Sequence, residues 1–194
     1  MLFLLSLIVL LFVACNRMIS RKRYYSHLPT TSGVYPDNRI EIEQVEQAIS
    51  ARTKHDVDAH VLTDESVVPL FVRVLRNNGI HVNQRVLKSI ILQPKHLSTI
   101  QRLKRKHNRA RPWQIKIIDN LESATAHTPA YPAGHAYQAW VLYRVLSSQH
   151  PSLKQELYNT AKYCDRIRVL AGLHYPSDGK YSKKLVMALR KNEL

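Results

Sequence analysis

Three short clusters of ionisable residues carry the chemistry that this 194-residue sequence can offer. In the first, Lys104 is followed by six residues and then Arg111-Pro112. A separation of seven is nearly two helical turns, so both cations are predicted to share one face of the helix they end and to grip one anion together. The second is Pro132-Ala133-Gly134-His135, which opens a helix carrying Ala139, Trp140, Leu142 and Val145. Backbone N–H groups at a helix start are unpaired and carry partial positive charge, which makes a seat for an anion, and Gly134 lets a phosphate approach the backbone closely. The third is Arg168, five residues, His174, three residues, Asp178. If the last helix begins near His174, with Pro176 in its first turn, the carboxylate lies one turn from the imidazole and can hold it.

Taken singly, each cluster also has a plain structural reading. Arg102, Arg105, Lys106 and Arg109 crowd the first, and a run of charge is ordinarily a solvated face. His135 alone reads as a helix-capping or partly buried imidazole, and Asp178 alone as an ion-pair or N-terminal acidic residue.

Together, in this order and at these separations, the clusters form a three-part signature spread over Lys104 to Asp178. It resembles that of the type 2 phosphatidic acid phosphatase and vanadium haloperoxidase superfamily, and among its members the soluble non-specific bacterial acid phosphatases most. The resemblance implies an all-α, single-domain helical bundle that hydrolyses phosphate esters through a phosphohistidine. It further implies His174 as nucleophile, Asp178 as the carboxylate that orients it, and His135 as the acid that protonates the leaving alkoxide and later activates water. Lys104, Arg111 and Arg168, with Gly134 and Ala133, would hold the phosphate. Three cations can do electrostatically what magnesium does in kinases, so no metal or other cofactor is expected, and vanadate or phosphate can occupy the seat. Two positions depart from the family pattern: Ala133 stands where Ser is usual, removing a hydroxyl donor, and Ile167 precedes Arg168 where Ser is usual. The two histidines need opposite protonation states, which predicts a bell-shaped pH dependence.

The elements that must position these residues read as helices throughout. Thr63-Asp64-Glu65 looks like an N-cap before Val67, Val68, Leu70, Phe71, Val74 and Leu75, apolar at helical spacing, ending at Asn77-Asn78-Gly79. Further helices are predicted over residues 83–92, from Pro94 to near Ala110, over 134–149, from a Ser152 cap to about Leu170, and over roughly 174–191. No period-two strand and no internal repeat is evident, so the expected architecture is an all-α bundle.

Composition bounds the rest. Apolar residues make up 45% of the chain and there are 5 Gly, which suits one globular domain over residues 39–194. Residues 1–15 are almost wholly apolar, shorter than a bilayer-spanning helix, and read as a targeting or anchor segment. Phe12-Val13-Ala14-Cys15 is a loose likeness of a lipoprotein cleavage box, and Arg17, Arg21, Lys22 and Arg23 follow the run. Membrane association or export of the full chain is expected, on a side that these flanks leave open. Residues 16–38 read as a basic, then Ser/Thr/Pro-containing, linker. With Cys15 and Cys164 as the two cysteines, a disulfide framework is not expected, and Cys164 reads as a small core residue. The formal charge of +15 draws anions of any kind and favours phosphate-bearing partners without naming one. A phosphate-ester substrate and an anionic membrane surface are the partners expected, nucleic acid is not, and the oligomeric state is left open. Two other readings share these features. A vanadate-dependent haloperoxidase would use the same anion seat, and a catalytically weakened basic module binding membrane or nucleic acid would use the charge.

Overall fold

A computed structural model describes residues 35–194, and every regular element in it is helical. The expected anchor segment, the cleavage box at Cys15 and most of the linker lie outside the described residues. Nine α-helices occur among the described residues: α1 (Asn38–Ser50), α2 (Lys54–Thr63), α3 (Val68–Asn77), α4 (Gln84–Ile91), α5 (Pro94–His107), α6 (Pro112–Ile115), α7 (Gly134–Gln149), α8 (Lys154–Leu170) and α9 (Pro176–Ala188). Short 3₁₀ turns cover Pro151–Leu153 and Lys191–Glu193. No helix of the described residues is long and apolar enough to cross a membrane.

The centre is the pair α7 and α8, with α9 and α4 on α7 and α1, α2 and α3 on α8. Their shared interior holds Phe71, Leu75, Leu87, Ile91, Trp140, Leu142, Leu157 and Ile167, each almost fully excluded from solvent. Aliphatic and aromatic burial on this scale is the main favourable term in folding. Cys164 is part of this core. A smaller cluster of Ile42, Val45, Ala130 and Tyr175 seats α1 against the start of α9.

Helix starts follow from local chemistry. Asp37 caps α1 by accepting from the Arg39 amide at 2.8 Å, Thr53 and Asp56 form a capping box on α2, and Asn83 caps α4. α3, α5, α6 and α9 begin with proline in the first turn, where its missing N–H costs nothing.

Several boundaries differ from the sequence expectation. α1 and α2 carry no clear apolar stripe and were not predicted as helices. Thr63 and Asp64 do not start α3: the Thr63 hydroxyl donates back to Ala59 O at 2.7 Å and Asp64 closes α2. The helix from Pro94 stops at His107, not near Ala110, because Asn108 turns left-handed with φ 43°. Lys104 and Arg111 therefore do not share a helix face; Arg111 begins the separate α6. Ser152 lies inside a 3₁₀ turn and does not cap α8, and α9 starts at Pro176, two residues after His174.

Candidate active site

The three clusters meet where the first turns of α7 and α9 adjoin the last turns of α5 and α8. The Ala133 N–H donates to Asp178 O at 3.2 Å and the Ser182 hydroxyl donates to Ala133 O at 2.8 Å, which ties the start of α7 to α9. Gly134, His135 and Ala136 occupy the first turn of α7, so their amides lie outside its hydrogen-bond ladder.

His174 sits at the focus, almost wholly buried. Its Nδ1 lies 3.0 Å from Asp178 Oδ2, and Asp178 Oδ2 also accepts from the Tyr175 N–H at 2.9 Å as part of the α9 capping box. A carboxylate at Nδ1 fixes the proton there and leaves the lone pair on Nε2. Arg111 Nη1 donates to that Nε2 at 2.9 Å and to Leu173 O at 2.7 Å, and Arg111 Nε donates to Thr128 O at 2.8 Å. The Lys104 ammonium donates to the neighbouring carbonyl, Pro129 O. Thus Lys104 and Arg111, though on different elements, are gathered by adjacent carbonyls of the loop before α7.

Asp64 joins Arg168 to His135. Its Oδ1 accepts from Arg168 Nη1 at 3.0 Å, and its backbone carbonyl accepts from His135 Nε2 at 2.8 Å. With Nε2 a donor, Nδ1 is the His135 nitrogen left to accept or release a proton. Ser123 Oγ and Thr125 Oγ1 accept from Arg168 Nη2 at 3.1 and 3.4 Å, and Ser123 in turn donates to Asp64. His60 Nδ1 lies 3.4 Å from Arg168 Nη1.

These groups are close enough to act on one another's ionisation. Burial holds the His174 imidazole well below its ordinary pKa, and Arg111, Lys104, Arg168 and His135 depress it further. His135 falls to about 3, by burial first and then the charge of Arg168. Lys104 falls to about 7 for the same kind of reason, burial and then Arg111. Asp178 moves the other way, to about 6, because burial outweighs the stabilising charge of Arg109. Both imidazoles are therefore neutral near pH 7, and the groups that titrate close to neutrality are Asp178 and Lys104. The two histidines thus do not hold opposite protonation states near neutrality in the free protein.

All eight residues expected at the site lie in or beside this constellation, and Ala133 contributes least. Its methyl is buried and its N–H is taken by Asp178 O. Asp64, Ser123, Thr125 and Arg109 were missed as site residues. Asp64 was read as a helix start, Ser123 and Thr125 lie in an irregular loop with no motif around them, and Arg109 was grouped with an exposed charge run. Arg102, Arg105 and Lys106 are indeed exposed, whereas Arg109 is 1% exposed. A cavity of about 580 Å³ opens beside Arg111, lined in part by Trp113, Gln114, His127 and Thr128. Among the described residues no group of three or more His, Cys, Asp or Glu side chains converges as a metal site would require. No protein-family model matches the sequence, and a search of curated proteins finds no relative.

Proposed function

We propose that this protein is a phosphatase that transfers the phosphoryl group of a phosphate ester to His174 and then to water. The observation that carries the reading is the His174 ring itself: a carboxylate at Nδ1, a guanidinium at Nε2, and two further cations and a second imidazole acting on it. The resemblance of the motif order to the acid phosphatase and haloperoxidase superfamily supports the same assignment.

The chemistry follows from the geometry. Phosphoryl transfer needs chiefly positioning and positive charge aimed at the transferring oxygens. Lys104, Arg111 and Arg168 supply that charge, and the first amides of α7 add hydrogen bonds. Arg111 exchanges its contact with Nε2 for a phosphate oxygen, which frees the lone pair. Nε2 attacks phosphorus, the N–P bond forms, and the ester P–O bond breaks. The negative phosphate offsets the cations that depress His135, so that Nδ1 can take up a proton and pass it to the leaving alkoxide. Water then attacks the phosphohistidine, with His135 receiving its proton, and phosphate departs as the N–P bond breaks. Asp178 holds Nδ1–H throughout and stabilises the positive ring. The cavity beside Arg111 falls within the roughly 300–1,000 Å³ of small-molecule sites and offers room for the alcohol part.

Hydrolysis of p-nitrophenyl phosphate by the purified protein tests the reading. His174→Ala is expected to lower turnover by at least about 10³-fold, the scale of losing a nucleophile that works with its partners as a unit, while leaving the circular dichroism spectrum unchanged. Ordinary turnover by His174→Ala overturns it.

A further inference from the structure

Behind Asp178, on the side away from His174, lies a second network that the mechanism above does not use. Arg109 follows α5, and unlike the exposed Arg102, Arg105 and Lys106 nearby its guanidinium is wholly excluded from solvent. Nη1 donates to Asp178 Oδ1 at 2.7 Å and to Ser177 Oγ at 2.7 Å, Nη2 to Glu41 Oε2 at 2.8 Å, and Nε to Asn38 Oδ1 at 2.9 Å. The rings of Tyr35 and Tyr175 stack on it at 4.2 and 3.9 Å from their centroids. Glu41, buried on α1, also accepts from the Ser177 N–H at 2.9 Å and from the Ser177 hydroxyl. Asp178 thus has both oxygens committed, Oδ2 toward His174 and Oδ1 toward Arg109.

We infer that Arg109, anchored by Glu41 of α1, is a positioning residue that keeps Asp178 ionised and turned toward His174 Nδ1. This rests on the phosphatase reading for its consequence in turnover, but not for the clamp itself. The reason is the balance of charge around a fully buried carboxyl. Lys104 on α5 and Arg109 and Arg111 in the segment after it face Asp178 as cations, and Glu41 on α1 and Asp165 on α8 as carboxyls. Tyr131 and Tyr175 add phenols, and His174 is its hydrogen-bond partner. Of these cations, Arg109 alone among the described residues hydrogen-bonds the carboxyl, and its charge is the largest influence favouring the ionised form. A protonated Asp178 can turn its O–H to Nδ1, which competes with the Nδ1–H tautomer that presents Nε2 and leaves Arg111 alone to favour it.

The test compares Arg109→Gln, Arg109→Lys and Glu41→Gln with the unaltered protein, with ¹⁵N-histidine NMR alongside kinetics on p-nitrophenyl phosphate. In Arg109→Gln the titration that flips the His174 tautomer is expected about 1–3 pH units higher, the size of an Arg–Asp effect. The acid limb of kcat/KM moves by the same amount, while KM at the pH optimum changes by less than about threefold. Arg109→Lys restores the limb. Glu41→Gln shifts it in the same direction by less, which keeps the clamp testable if Arg109→Gln does not fold. An unmoved tautomer titration in Arg109→Gln, or in Glu41→Gln where the former is unfolded, overturns the inference, as does lower activity with an unmoved acid limb. If the unaltered protein hydrolyses nothing but its His174 tautomer still depends on Arg109, the clamp stands and the phosphatase reading falls.

Discussion

Asp178 and Lys104 set the expected pH range of the site, and their directions can be followed one at a time. Asp178 is raised to about 6, so below that pH it takes up a proton and releases Nδ1. Lys104 is lowered to about 7, so above that pH its ammonium is lost and with it part of the field around the phosphate. The expected kcat/KM profile is a bell with limbs near these two values, measured on p-nitrophenyl phosphate with ionic strength held constant. Lys104→Arg, which keeps its proton, is expected to push the alkaline limb up by more than about one unit; an unmoved limb would assign it to another group. The residues behind this expectation were legible in the sequence because their types and order are a motif. Asp64 and Arg109 were not, since nothing local distinguishes a buried Arg109 from its exposed neighbours Arg105 and Lys106. It is enclosed by α1 and by the start of α9, both far away in the chain.

Helices with an apolar face or a clear breaker at their start were read, and α1 and α2, which have neither, were not. α7 was predicted with the bounds it has, because Ala136, Ala139, Trp140, Leu142 and Leu146 leave no other use for the segment. α2 buries Ala59, His60 and Thr63, and α1 buries Glu41 beside Ile42 and Val45, so hydrophobic spacing is blind to both. The joint between α8 and α9 makes a prediction of its own. Asp165 lies against the backbone of Gly179, where a Cβ would sit 1.7 Å from its Oδ1, and that oxygen is buried without a hydrogen-bond partner. Burial raises this carboxyl to about 7. A carboxyl whose folded pKa lies above its unfolded value favours the native state when protonated, and that advantage is lost as pH rises through the folded value. Asp165→Asn is therefore expected to stabilise the protein by roughly 1–3 kcal/mol above pH 7 in urea unfolding, with the gain vanishing as pH falls to about 4. A gain independent of pH would point to packing in place of ionisation.

The chain carries a formal charge of +15, and its described residues form a helical scaffold around the proposed anion seat. Such a field speeds encounter with a dianionic substrate more than it changes the bound complex, and salt screens it, with a Debye length near 30 Å at 0.01 M and about 8 Å at 0.15 M. Raising salt between these limits is expected to lower kcat/KM severalfold while kcat stays within about twofold, by initial-rate assay with uncharged controls for viscosity. The all-α architecture was legible from the absence of strand pattern and from six segments that read as helices. The way α5, α6, α7, α8 and α9 bring their ends to one point was not, because Lys104 and Arg111 reach the same place from separate elements. That convergence supports the role proposed for His174, and rapid quenching tests it most directly. Mixing the protein with a ³²P-labelled phosphoester and stopping in alkali is expected to leave acid-labile label on the peptide containing His174, and none in His174→Ala. Turnover that proceeds with no covalent phosphoprotein, or with the label on another residue, would contradict it.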